Sequence, residues 1–218
     1  MASLPSSQYQ LLPAEVSDAA VIHELDTLAF GAEELAQIVF DGHNPASNSL
    51  RLEQIRNSLQ DPAVTYTKVM VDGKHVAQAQ WVLNLDPDWH LKGEPEEKKK
   101  ARMENAANPE AYGEFFGWLY GVRKRRMGGQ KHLLLASLVT HPEYQGRGIG
   151  SLLLKEGLAV ADKHNIPAWL EASAAGYPLY KKFGFEDVEI FDMDLTKYGG
   201  KTVARSVAMV RQPQGKSD

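Results

Sequence analysis

The 218-residue chain contains no cysteine. That absence excludes a disulfide framework, a Cys-ligated zinc site and a thiol nucleophile. Charge of one sign is not in excess either: 24 Lys and Arg stand against 28 Asp and Glu, a formal net charge of −4. Such a balance gives no global attraction to nucleic acid or to an anionic membrane, and neither is expected as a partner. No apolar stretch approaches the roughly 20 residues that span a bilayer. Residues 1–10 lack the charged start and apolar run of a signal peptide. The expectation is a soluble, cytoplasmic protein. With 43% hydrophobic residues, the chain can bury a core without covalent staples, and its length fits one domain over residues 1–218.

What the chain does have is periodicity. An apolar run at residues 9–12 reads as an opening strand. Ser17 or Asp18 can cap a helix carrying Val21, Ile22, Leu25, Leu28 and Ala29 at spacings of three and four. Residues 33–40 and 49–59 read as further helices, separated by the turn residues Asp41-Gly42-His43-Asn44-Pro45. Runs at 64–71 and 75–85 flank Asp72-Gly73 and predict a β-hairpin. Strands are expected at 132–140, 166–172, 186–195 and 202–211. Helices are expected from about 148 to 164 and, more briefly, up to Phe183, with Gly184 as its stop.

Residues 86–130 break that rhythm. They carry nine Lys/Arg and eight Asp/Glu, and six of the 19 aromatics, in 45 residues. After a charge run at 94–102, Tyr112, Phe115, Phe116 and Leu119 fall at i, i+3, i+4 and i+7. This predicts a helix ending at Arg123-Lys124-Arg125-Arg126 and Gly128-Gly129. Its aromatic face reads either as a wall over a substrate pocket or as an amphipathic face packed on a sheet.

The most informative stretch is Gln145-Gly146-Arg147-Gly148-Ile149-Gly150-Ser151, between a strand and a helix. Alternate glycines let the backbone turn sharply and approach a ligand, and the N–H groups at the helix start form an anion site suited to phosphate. The spacing fits neither the G-x-G-x-x-G of a dinucleotide fold nor the G-x-x-x-x-G-K-S/T of a P-loop. It does fit Q-x-x-G-x-G, and Tyr180-Lys181-Lys182-Phe183-Gly184-Phe185 follows about thirty residues later.

In that order, strand, Q-x-x-G-x-G, helix, strand and Y-x-x-x-G-F resemble the GNAT superfamily of acyl-CoA N-acyltransferases. The specific part covers residues 132–185. The resemblance implies an α/β (α+β) GNAT fold, a mixed sheet of six to seven strands flanked by helices, with splayed strands at the acyl-CoA site and residues 86–130 as a variable insert. It implies acetyl-CoA as co-substrate, with Gln145, Gly146, Arg147, Gly148, Ile149, Gly150 and Ser151 holding its pyrophosphate. Leu138, Val139 and Thr140 would bind pantetheine through their backbone, and one of their N–H groups would polarise the thioester carbonyl. Ser173 is placed beside the cofactor. Tyr180 matches the tyrosine that protonates the leaving thiolate; Tyr177 fits the spacing less well. Glu171 is the candidate base through water, with Ser137 or a water chain as alternatives. Two features depart from the family pattern: the strand before the turn lacks the acid common there, and the frequent Asn after the next strand is missing.

Without cysteine, acyl transfer must pass straight from CoA to the amine. The acceptor is expected to be a small primary amine. The alternatives are a protein or peptide amine, either N-terminal or lysine, and a non-catalytic acyl-CoA sensor. The enzyme is expected to be a monomer or homodimer, without a metal. Its seven histidines show no H-E-x-x-H spacing, Asp86-Pro87-Asp88 and Asp192-Met193-Asp194 sit in a turn and a terminal strand, and Ser151 is not in G-x-S-x-G.

Overall fold

The computed structural model describes residues 9–40, 44–91 and 96–215. Part of the expected 41–45 turn, the start of the 94–102 charge run and the end of the tail lie outside them. Among the described residues the strands are β1 (Gln10–Pro13), β2 (Val64–Val71), β3 (Lys74–Asn84), β4 (His132–Thr140), β5 (Ala168–Ser173), β6 (Glu186–Asp194) and β7 (Val203–Arg211). They form one mixed sheet in the order β1-β2-β3-β4-β5-β7-β6. Every neighbouring pair is antiparallel except β4 and β5, which run parallel.

The helices are α1 (Ala19–Phe30), α2 (Glu34–Val39), α3 (Pro45–Gln60), α4 (Glu96–Glu104), α5 (Pro109–Met127), α6 (Ile149–His164) and α7 (Tyr177–Lys182). Local chemistry explains several boundaries. The β2–β3 turn takes positive φ at Asp72 (49°) and Gly73 (75°), which matches the twist of the flanking strands. α3 starts four residues before the expected Ser49, because the Asn44 side chain accepts from the N–H groups of Ala46 and Ser47 and Pro45 fills the first helical position. Those residues form a cap as well as a turn. Asn108 and Pro109 open α5 in the same way, well ahead of the aromatic run. α4 forms where the sequence offered only a charge run, with Lys100–Glu104 as an i, i+4 pair at 3.6 Å.

Two sheet faces carry separate cores. On one, α6 and α7 cover a large cluster that includes Ala77, Ala79, Trp81, Leu133, Leu135, Leu170, Ala172, Leu153, Leu154 and Tyr180. On the other, α1 and α3 pack Ile22 and Ile55 on Tyr66, and α5 packs Val122 and Met127 on Leu134, Trp169 and Ala208. α2 joins the far half of α5 through Val39 and Tyr112, with Met193 and Leu195. Side chains alternate across a strand, so Leu170 and Ala172 face α6 while Trp169 and Glu171 face α5.

β4 and β5 are hydrogen-bonded only near their starts, where Leu133 pairs with Ala168 and Leu134 with Trp169, among the described residues. Beyond that point the strands separate. A register irregularity helps: β3 pairs Gln80 with Ser137 but Trp81 with Leu135, so Ala136 is an extra residue in β4. Such a bulge bends the strand and ends regular pairing. The result is a gap in the sheet that joins the two faces.

Candidate active site

The Gly-rich turn sits at the end of β4, at the mouth of the gap. Gly146 and Gly148 have φ of 73° and 85°, values an L side chain adopts only under strain. Gly150 has another role. A Cβ there would stand 3.2 Å from Leu179 Cδ2 of α7, so this glycine lets α6 and α7 approach. Gln145 fixes the turn to the strand, its Nε2 donating to the Thr140 carbonyl at 3.1 Å. The first N–H groups of α6, from Ile149 to Ser151, have no acceptor within their own helix, and they carry the positive end of a 16-residue dipole.

Cations flank this turn. The Arg147 guanidinium lies 5.0 Å from the Tyr144 ring centroid and donates to the Glu143 carbonyl at 2.8 Å. Lys74, the first residue of β3, lies 5.6 Å from the same ring. Lys74 was missed in the sequence because it is about seventy residues away; only the hairpin brings it to the turn. Backbone donors, a helix start and two cations suit a polyphosphate.

Tyr180, on α7, is buried against Phe185 with ring centroids 6.0 Å apart. Burial pushes its phenol up to about 12, because the charged form would sit away from water. Gly176 makes room for it: a Cβ there would lie 2.7 Å from Tyr180 Cε2. Tyr177 is engaged elsewhere, donating its hydroxyl to Asp187 at 2.9 Å. Ser173 Oγ accepts from the Gly176 N–H at 3.3 Å and so shapes the β5–α7 connection. Leu138, Val139 and Thr140 occupy the β4 edge of the gap.

Glu171 is not a free carboxylate. Its Oε1 accepts from Arg123 Nε at 3.0 Å and from Trp169 Nε1 at 2.6 Å, and its Oε2 accepts from Arg123 Nη2 at 2.5 Å. This arrangement answers the cost of placing a carboxylate in an apolar strand, and it draws on residues 48 positions apart. On the same face, Ser137 Oγ and Gln78 Oε1 are buried without a hydrogen-bond partner. The Gln78 amide is held at its other end, Nε2 donating to the Ile22 carbonyl and to Asp26 Oδ1, both at 3.0 Å. Asp26 in turn takes Arg51 at 2.6 Å.

Tyr180 and Glu171 therefore lie on opposite faces of the sheet, and the gap between β4 and β5 is the passage between those faces. Around the Glu171 side, Phe40 of the α2 end packs on Phe116 of α5 (5.8 Å, edge-on), and Phe116 stacks on Tyr120 (6.0 Å). Phe40 and Tyr120 remain 45% and 49% exposed, which leaves an aromatic rim open to a ligand. Among the described residues, no group of three or more His, Asp or Glu could hold a metal ion, and no helix is long and apolar enough to cross a membrane.

Comparison with known proteins bears on the family and the fold. The model of the Acetyltransferase (GNAT) family matches residues 33–185. An uncharacterized N-acetyltransferase of Schizosaccharomyces pombe is 23% identical, with 93% of this chain and 92% of the relative covered. The solved polyamine N-acetyltransferase of Drosophila melanogaster, an enzyme that forms N-acetylagmatine, superposes with a TM-score of 0.67 at 13% identity, covering 94% of this chain and 99% of that one. The solved histone acetyltransferase HPA2 and related acetyltransferase of Corynebacterium glutamicum gives 0.62 at 21% identity, covering 97% and 99%. At such identities the superpositions establish the fold and leave the acceptor open.

Proposed function

Because the chain belongs to the GNAT acetyltransferase family, and is thereby an N-acetyltransferase of the kind that uses acetyl-CoA, we propose that it acetylates the primary amine of a small molecule, with both substrates bound at once. One observation carries this reading: the anion-binding turn and Tyr180 serve one face of the sheet, Glu171 and the aromatic rim serve the other, and the β4–β5 gap connects them. The acceptor side is walled by α2 and α5 packed together, which favours a small amine over a peptide that needs an open groove. The Drosophila polyamine enzyme, similar in fold, points the same way.

In this reading the N–H groups of residues 148–151, with Lys74 and Arg147, hold the pyrophosphate. The backbone of residues 138–140 aligns pantetheine and donates to the thioester oxygen as negative charge grows there. A carbon–nitrogen bond forms as the carbon–sulfur bond breaks. Of the two protons an ammonium nitrogen loses, one ends on the thiol and one in solvent.

Tyr180 faces the leaving sulfur. Burial that pushes the phenol up to about 12 makes it a weaker acid than a thiol near 8.5, so complete proton transfer runs uphill. Tyr180 therefore donates a hydrogen bond to the developing thiolate, and complete transfer needs its phenol to become more acidic with substrate bound. Glu171, already bearing three donors, serves better as the acceptor of a hydrogen bond from the amine or its relay water than as a lone proton sink.

Release of free CoA, followed with acetyl-CoA and a panel of small amines beside N-terminal and lysine peptides, tests the proposal. Turnover with at least one small amine, well above hydrolysis and above every peptide, is expected. Turnover confined to peptides overturns the acceptor class, and release no faster than hydrolysis across the panel overturns the enzymatic reading of this site.

A further inference from the structure

Three arginines close together at the end of α5 behave differently. Arg125 and Arg126 reach outward to Glu189 of β6 and stay about half exposed, at 56% and 50%. Arg123 turns inward to Glu171, with the two side chains only 14% and 6% exposed. Solvated pairs such as the outer two need no special role, whereas a buried pair gains little over an apolar packing of equal volume. Stability alone is thus a weak reason for Arg123 to be inside.

Its geometry gives a stronger one. Arg123 meets both carboxylate oxygens with a planar fork, Nε to Oε1 and Nη2 to Oε2, which fixes the plane of the carboxylate as a lysine ammonium cannot. Trp169 closes a further position on Oε1. An ionised carboxylate has about four lone-pair sites; with three occupied, one remains, on Oε2. The guanidinium is itself supported by the Tyr120 ring, 5.9 Å away, and that ring belongs to the open aromatic rim.

We propose that Arg123 is a positioning residue for the acceptor amine: it holds Glu171 so that one Oε2 lone pair is presented to the acceptor side. The 86–130 segment thereby contributes a side chain to the site. This rests on the reading of Glu171 as an acceptor-side group. Arg123 touches neither substrate and acts through Glu171.

The test uses the full chain and the best amine of the panel. Arg123→Ala should lower kcat/KM for the amine on the order of 10–100-fold and leave KM for acetyl-CoA within twofold. Millimolar methylguanidinium should restore part of that loss in Arg123→Ala and none in Glu171→Gln. A Glu171→Gln background should absorb the effect, so that adding Arg123→Ala costs less than twofold more. Where Arg123→Ala folds poorly, the paired apolar variant R123M/E171L removes the buried charges together; it should unfold near the wild-type temperature yet keep the amine defect. Wild-type amine kinetics in Arg123→Ala overturn the proposal. Full activity in Glu171→Gln, or in R123M/E171L, overturns instead the reading on which it rests.

Discussion

Residues 132–185, two strands and two helices around a Gly-rich turn, and residues 86–130, helices and turns without a strand among the described residues, are built by different means. In the first, backbone shapes the turn and the gap that the side chains of Glu171 and Tyr180 flank: Gly146 and Gly148 set the turn by their positive φ, the start of α6 offers N–H groups, and β4 leaves β5 two residue pairs into their ladder. In the second, side chains do it, at long range. Arg123 meets Glu171, Phe116 meets Phe40, and Tyr198 of the β6–β7 connection donates to Glu114. Backbone devices are written in consecutive residues, while side-chain devices are written in partners that only the fold brings together.

If that division is right, each region should fail in its own kinetic parameter. The largest effect belongs to Tyr180. Tyr180→Phe keeps the ring against Phe185 and removes the donor to the developing thiolate, so kcat should fall about 10²–10³-fold with little change in either KM. Steady-state CoA release checks it. Activity equal to wild type from pH 6 to 10 would transfer the leaving-group role to water.

A smaller effect should follow in the turn. Ala at position 148 must adopt φ near 85°, a strain of about 1–2 kcal/mol, and it adds a methyl where phosphate is proposed to bind. Gly148→Ala should raise KM for acetyl-CoA by about tenfold, with KM for the amine unchanged. That is the mirror image of the Arg123 variants. A shift in the amine KM alone would erase the contrast between the two regions.

The same division explains what could be read from residues alone. The β2–β3 hairpin, the strand-turn-helix around Gly148 and the α7 stop at Gly184 were legible because each depends on a few neighbouring residues. The mixed sheet, expected at six to seven strands from the family resemblance, has seven. The start of α3 at Pro45 was not legible, because Asn44-Pro45 serves equally as turn and as cap. α4 hid in a charge run whose i, i+3 and i, i+4 pairs, Glu96 with Lys99 and Lys100 with Glu104, support a helix that buries no residue of its own. The Glu171 environment was only half legible. A carboxylate in an apolar strand announces a need for partners, but nothing near Trp169 names Arg123 as the partner rather than a substrate.

The smallest effect comes from a second bidentate pair, and it separates fork geometry from function. Arg211 of β7 meets Asp162 of α6 through Nη1 at 2.8 Å and Nη2 at 3.1 Å, and the Gln214 N–H adds a third donor at 2.7 Å. The hydrogen bond from Arg211 is the main cause that holds the Asp162 carboxyl below its ordinary value, burial opposing it. A folded-state value below the unfolded one means that the native chain binds the proton less tightly than the unfolded chain. The pair's stabilisation is then complete above the ordinary carboxylate range near 4 and is lost as pH falls through the lower, folded value. Asp162→Asn should therefore lower Tm at pH 7 by about 2–4 °C, for a cost of about 1 kcal/mol. The gap from wild type should stay constant down to about pH 5 and close below about pH 4. Thermal unfolding across that range reads it directly. Kinetic constants should not move, because this fork ties α6 to the C-terminal end of β7, away from the β4–β5 gap. An Asp162→Asn variant that loses turnover while keeping its Tm would show that position in the sheet does not separate the two forks, and the contrast drawn for Arg123 would lose its control.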